Sequence, residues 1–265
     1  MTTIDLISVQ NKVMDIVKDV AAFIQSEIGT INNNDIETKS LNSLVTYVDK
    51  ESEKKLVADL QQLIPSATFL TEENTIEQAA GEWQWIIDPL DGTTNFIHSI
   101  PVFGISVALK HNDEIVVGVV YEVNKNECFH AVKDNGAFVN GNKIAVTQTA
   151  QLADTLIATG FPYYDFDRTE NYLNTFRTLI KSTRGVRRLG AASIDLCYVA
   201  CGRFDAFFEY SLAPWDVAAG ALIVKEAGGK VTDFSGNNNW LFGKEIIACN
   251  TEIADEFLDV INENF

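Results

Sequence analysis

The chain has 265 residues, 46% of them hydrophobic and 22% charged, the balance of a globular protein with room for a large core. Its 37 acidic and 20 basic side chains give a net charge of -17, which argues against nucleic acid or an anionic membrane surface as the main partner, while a phosphate ester stays compatible if cations bridge it. No apolar run approaches the ~20 residues of a membrane helix, no basic stretch and apolar core open the chain, and Cys128, Cys197, Cys201 and Cys249 lack Cys-x-x-Cys spacing, so the sequence reads as a reduced, cytoplasmic protein.

Residues 4–28 carry apolar side chains at helical spacing, and Gly29 closes this amphipathic helix. The polar stretch 32–43 reads as a loop holding Lys39. A second helix is expected over 49–64, with Leu56, Leu60 and Leu63 inward and Glu51, Glu53, Lys54 and Lys55 on a solvated face. Residues 67–70 read as a strand with Thr71, Glu72 and Glu73 at its end; taken alone, Glu72 is an exposed surface acid.

Trp83 to Ile87 has the unbroken apolar pattern of a strand covered on both faces. Pro89 has no N–H for a ladder, so the strand should stop at Asp88, with its carboxylate at the carboxyl end where open α/β sheets bind ligands. Gly92 permits a tight turn, and Thr93, Thr94 and Asn95 are residues that start helices. Asp88 and Asp91 would then stand beside helix-start amides, a pairing that suits hard cations and phosphate. Read in isolation, Asp91-Gly92 is a hairpin turn and Asp88 a solvated strand end.

Strands follow over 102–110, 115–123 and 127–132, with a hairpin-turn signal at Asn140-Gly141. Residues 1–147 thus read as an α+β half, with helices on an antiparallel sheet. Residues 148–265 alternate like an α/β layer. Strands are expected over 155–159, 184–188, 205–209, at 231 and over 246–249, and helices over 166–181, 190–202, 213–227 and 253–265. No flexible linker separates the halves, so a site can lie between them. Pro214 suits a first helical turn, and Asp216 reads by itself as an acid favoured there by the helix dipole. His98, His111 and His130 fit no metal or triad spacing and read as structural or surface residues.

The run Asp88-Pro89-Leu90-Asp91-Gly92-Thr93-Thr94-Asn95-Phe96 resembles the signature of the inositol monophosphatase family. Trp215-Asp216, Gly220 and Glu226-Ala227-Gly228-Gly229 are similar to its second signature, and Glu72-Glu73 occupies the place of its acidic pair. The resemblance runs from about Lys39 to Gly229. It implies a layered α-β-α-β-α sandwich of the inositol monophosphatase / fructose-1,6-bisphosphatase type, usually dimeric. It also implies that Glu72, Asp88, Asp91, Asp216 and the Leu90 carbonyl hold two or three Mg2+ ions, with Mn2+ as a substitute and Ca2+ and Li+ as inhibitors. Glu72 and Thr93 would activate a water, with Asp88 a further catalytic residue, and the amides of Gly92 and Thr93 would cradle phosphate. Gly190, Ala192 and Glu209, with Asp91 and Asp216, would line the alcohol pocket. Lys39 and Asp49 match positions of the family's loop region, and Ser43 stands where relatives commonly carry Asp, which leaves a third metal site open. Arg187-Arg188 is either a substrate contact or a solvated strand-end or interface pair.

The expected activity is metal-dependent hydrolysis of a small phosphate monoester by an activated water, with myo-inositol 1-phosphate as the leading substrate. Fructose 1,6-bisphosphate, 3′-phosphoadenosine 5′-phosphate and histidinol phosphate are the alternatives, along with a non-catalytic interaction protein of the same fold. Expected partners are the ester and a second copy of the chain, with neither nucleic acid nor membrane.

Overall fold

The computed structural model describes residues 4–31, 35–40, 43–162 and 165–265, with the side chains of Lys39, Ser40 and Ser43 outside that description. Helix α1 (Leu6–Ser26) begins where the Asp5 carboxylate accepts hydrogen bonds from the Ile7 and Ser8 amides. The stretch expected as a loop instead forms a two-stranded antiparallel hairpin, β1 (Ile36–Ser40) and β2 (Ser43–Thr46), leading into α2 (Tyr47–Leu63). The helix starts two residues early because Thr46 caps it: its Oγ1 accepts from the Val48 amide and donates to Asp49.

A seven-stranded sheet follows in the order β3 (Thr68–Thr71), β4 (Trp83–Asp91), β5 (Gly104–His111), β6 (Glu114–Glu122), β7 (Glu127–Val132), β8 (Ala137–Val139) and β9 (Asn142–Lys143). It is mixed rather than antiparallel, because β3 pairs parallel with β4. Strand β4 runs on through Pro89 to Asp91, three residues beyond the expected stop. The register with β5 shifts between Asp88 and Asp91, so the proline falls at an irregularity where the ladder requires no donor. Asn140 and Gly141 take positive φ of 49° and 78° in the β8–β9 hairpin, as that turn demands.

The second sheet has the order β11 (Gly185–Arg187), β10 (Leu156–Thr159), β12 (Ala206–Tyr210), β14 (Glu245–Cys249), β13 (Lys230–Thr232). Between the two sheets lie α5 (Ala192–Ala200) and α6 (Pro214–Glu226), both buried almost all round and touching each sheet. A side chain at Gly220 would meet Leu196 at 2.7 Å, so this glycine permits the close α5–α6 approach. Helices α1 and α2 cover the outer face of the first sheet, and α4 (Thr169–Ser182) and α7 (Ala254–Asn262) lie beyond the second. The layers therefore run α-β-α-β-α.

One apolar core joins Ile86 and Val120 of the first sheet to Ile194, Ile223, Phe207 and Ile246. A second joins α1 and α2 to the other face of β4 through Val17, Leu56, Trp85 and Ile87. This two-sided burial explains the unbroken apolar run of β4. Among the described residues no helix is long and apolar enough to cross a membrane.

Candidate active site

A cavity of about 130 Å³ opens at the carboxyl end of β4 and reaches across to the second sheet. Its lining includes Glu72, Asp88, Leu90, Asp91, Gly92, Thr93, Gly190, Ala192, Glu209 and Asp216, which come from separate parts of the chain. Each is delivered differently. Glu72 follows β3, and its amide bonds the Ile87 carbonyl beside it. Asp88 and Asp91 flank the irregularity of β4, and the Asp88 Oδ1 accepts from the Leu90 amide at 2.9 Å. Gly92 caps the short helix α3 (Thr93–Ile97) with a φ of 91°, a left-handed conformation that favours glycine. Asp216 lies in the first turn of α6, where its Oδ2 accepts from the Ala213 amide at 2.7 Å. The helix-start reading of Asp216 and the site reading are thus both true of one carboxylate.

The electrostatics record how closely these acids gather. Burial pushes the Asp88 carboxyl well above the usual range, and the charges of Glu72, Asp91 and Asp216 push it the same way, as does a hydrogen bond with Glu72. Asp91 is pushed up to about 6 by burial, although the Ser193 amide and hydroxyl donate to its Oδ2 at 2.8 and 2.5 Å and pull it back. Burial also raises Asp49, opposed by hydrogen bonds from Thr46 and Thr93 and reinforced by the charge of Glu72. Thr93 Oγ1 lies 2.8 Å from Asp49 Oδ1 and 3.1 Å from the Leu90 carbonyl oxygen; its one proton can go to only one of them.

The donor set suits a hard divalent cation. The cavity wall offers carboxylate and carbonyl oxygens and has neither thiol nor imidazole. Among the described residues no three such side chains stand ready to hold one ion. Asp88, Asp91 and Asp216 each turn an oxygen to a protein donor instead. A cation would relieve the mutual repulsion of these acids, which adds to burial in raising the Asp88 carboxyl.

Several residues that organise the site carry no expectation above, or the wrong one. Glu53, assigned to a solvated face, is fully buried. Its carboxylate accepts from Thr71 Oγ1, the Glu73 amide, and the amide and hydroxyl of Thr75, and so shapes the turn that carries Glu72. Asn95 is buried, and its Nδ2 donates to the carbonyls of Val102 and Leu189, pinning the segment before Gly190 to the motif. Ser193 fixes Asp91 and Asp195 lines the cavity; Arg188 lines it too, at one of the two places expected for it. Only Ser193 had a usable signal, as a polar residue at a helix start. Lys39 falls in β1 and Ser43 in β2, but their side chains lie outside the described residues. Of the histidines, His98 is exposed, His111 stacks on Trp83 and His130 on Phe138, none of them in the cavity.

Five layers enclosing an acid-lined cavity between two sheets define the layered fold that the signature residues implied. The chain belongs to the inositol monophosphatase family, whose model matches residues 5–263. It is 43% identical over 235 residues to a putative Nus factor SuhB of Neisseria meningitidis serogroup B, covering 88% of this chain and 90% of that one. It is 36% identical over 241 residues to an inositol-1-monophosphatase of Mesorhizobium japonicum, covering 91% of each. The crystal structure of the extragenic suppressor protein suhB from Bartonella henselae superposes with a TM-score of 0.92 at 36% identity, covering 97% of this chain and 100% of that one. Relatives that share the fold thus carry both an enzyme's name and a Nus factor's name. Net charge alone therefore does not decide the partners, and the expectation that nucleic acid is excluded is withdrawn.

Proposed function

We propose that the chain is a magnesium-dependent phosphomonoesterase that hydrolyses a small phosphate ester, myo-inositol 1-phosphate first among the candidates, and that it works as a homodimer in the cytoplasm. The observation that carries this reading is the convergence of Glu72, Asp91 and Asp216 on the buried Asp88. Glu72, Asp88, Asp91, Asp216 and the Leu90 carbonyl would hold Mg2+. The metal, when bound, would neutralise phosphate charge and make a bound water easier to deprotonate.

The chain's own residues supply the rest. Asp49 is the better acceptor for the Thr93 proton, which leaves the Thr93 oxygen lone pairs to accept from a water. Glu72 takes that water's proton as general base. The amides of Gly92 and Thr93, at the start of α3, receive the phosphate oxygens. Glu209, Gly190 and Ala192 form the wall that meets the alcohol.

The relatives named Nus factor favour a second reading, a protein of this fold that acts through its surface. Phosphate release from a panel of polyol, sugar and nucleotide monophosphates, with and without magnesium, separates the two. Magnesium-dependent release from a polyol phosphate is expected. No release from any member of the panel would leave the surface reading standing.

A further inference from the structure

The far wall of the cavity holds two acids that the proposed chemistry does not consume. Asp195, in the first turn of α5, is 1% exposed, and Glu209, on β12, is 6% exposed. Asp195 Oδ1 has no hydrogen-bond partner among the described residues. Buried carboxyl groups are normally hydrogen-bonded, and leaving one unpaired is unfavourable. Burial raises both carboxyls well above their usual range. Glu209 and Asp91 raise Asp195 further, Asp216 and Asp91 do the same to Glu209, and Arg188 opposes the effect on each.

The fold makes room for this pair. A side chain at Gly160 would fall 2.0 Å from the Glu209 carboxyl, so the bare backbone there admits the acid to the cavity wall. A helix dipole explains a first-turn acid that is solvated or bonded to an amide. It does not explain Asp195, which is buried and whose Oδ1 has no hydrogen-bond partner among the described residues.

We propose that Asp195 is a specificity-determining residue of the alcohol pocket, a second hydrogen-bonding partner beside Glu209, and that the pair selects phosphate esters of neutral polyols over esters carrying a second anionic group. Adjacent hydroxyls satisfy two buried carboxyls at once. A second phosphate meets these two buried acids, with Arg188 the one basic side chain among the described lining residues. This inference rests on the phosphatase reading above and narrows its substrate class.

The test is kcat/KM with magnesium for the wild type, Asp195→Ala and Asp195→Asn on myo-inositol 1-phosphate, fructose 1,6-bisphosphate and p-nitrophenyl phosphate. The wild type is expected to prefer the inositol ester to the bisphosphate. Asp195→Ala should lower the ratio of inositol ester to aryl ester about tenfold, mostly through KM, the scale of one lost hydrogen bond. Asp195→Asn, matched in size and therefore least prone to misfold, should narrow the gap between inositol ester and bisphosphate. Equal losses on all three esters, or an unchanged inositol-to-aryl ratio in both variants, would overturn the selectivity claim and leave the phosphatase reading intact. A wild type inert on all three esters would sink both.

Discussion

At one end of the cavity, Asp88, Asp91 and Asp216 are each tied down, to the Leu90 amide, to Ser193 and to the Ala213 amide. At the other, Asp195 leaves an oxygen without a partner among the described residues, and Glu209 sits beside it over a bare glycine. The first arrangement ties one oxygen of each carboxylate to a protein donor. The second leaves hydrogen-bonding capacity for something that arrives. Acids of one chemical type thus take different roles according to what the neighbouring backbone gives them, and the contrast can be broken from either side.

The largest effect should come from Asp88→Asn, which keeps the shape and removes the charge at the centre of the acid cluster. Turnover on any accepted ester should fall by roughly a thousandfold, the upper range for losing one preorganised contact at a reacting centre. Preserved turnover would show that the ordered end is not the reacting end.

Next comes Glu53→Ala, which removes the acceptor of four donors around the Glu72 turn. Denaturant unfolding should report a loss of roughly 3 kcal/mol, since buried donors are left unpaired. A loss within a few tenths of a kcal/mol would mean that the turn holds itself.

The smallest effect concerns pH. Burial pushes the Asp91 carboxyl up to about 6, and burial with the neighbouring acids raises Asp88 well above the usual carboxylate range. A carboxyl raised by folding keeps its proton in the folded state after the unfolded state has lost it. Its contribution to stability is therefore greatest below the unfolded value and declines as pH rises through the folded one. The melting temperature of the metal-free wild type relative to metal-free Asp88→Asn should thus fall as pH rises above about 4. A pH-independent difference would contradict the mutual repulsion of the acids.

Much of this was legible in the sequence because local rules agreed with one another. The apolar run of β4, the glycine turn and the proline at the start of α6 each point to one conformation, and the nine-residue signature spans the bend itself. The positions that escaped are those whose role depends on partners distant in sequence. Glu53 lies among charged neighbours on a helix, and nothing local reveals that the turn at 71–75 folds over it. Pro89 was read as a stop because the irregular pairing with β5 that accommodates it is a property of two strands. The parallel pairing of β3 with β4 is likewise a tertiary choice, and so is the burial of Asp195 between sheets.

The most direct measurement is a calorimetric titration of magnesium into the wild type and Asp88→Asn at neutral pH. If Glu72, Asp88, Asp91 and Asp216 form one divalent-cation site, the wild type binds magnesium and the variant loses most of that heat while melting as a folded protein. Equal binding by both would contradict the account at its centre.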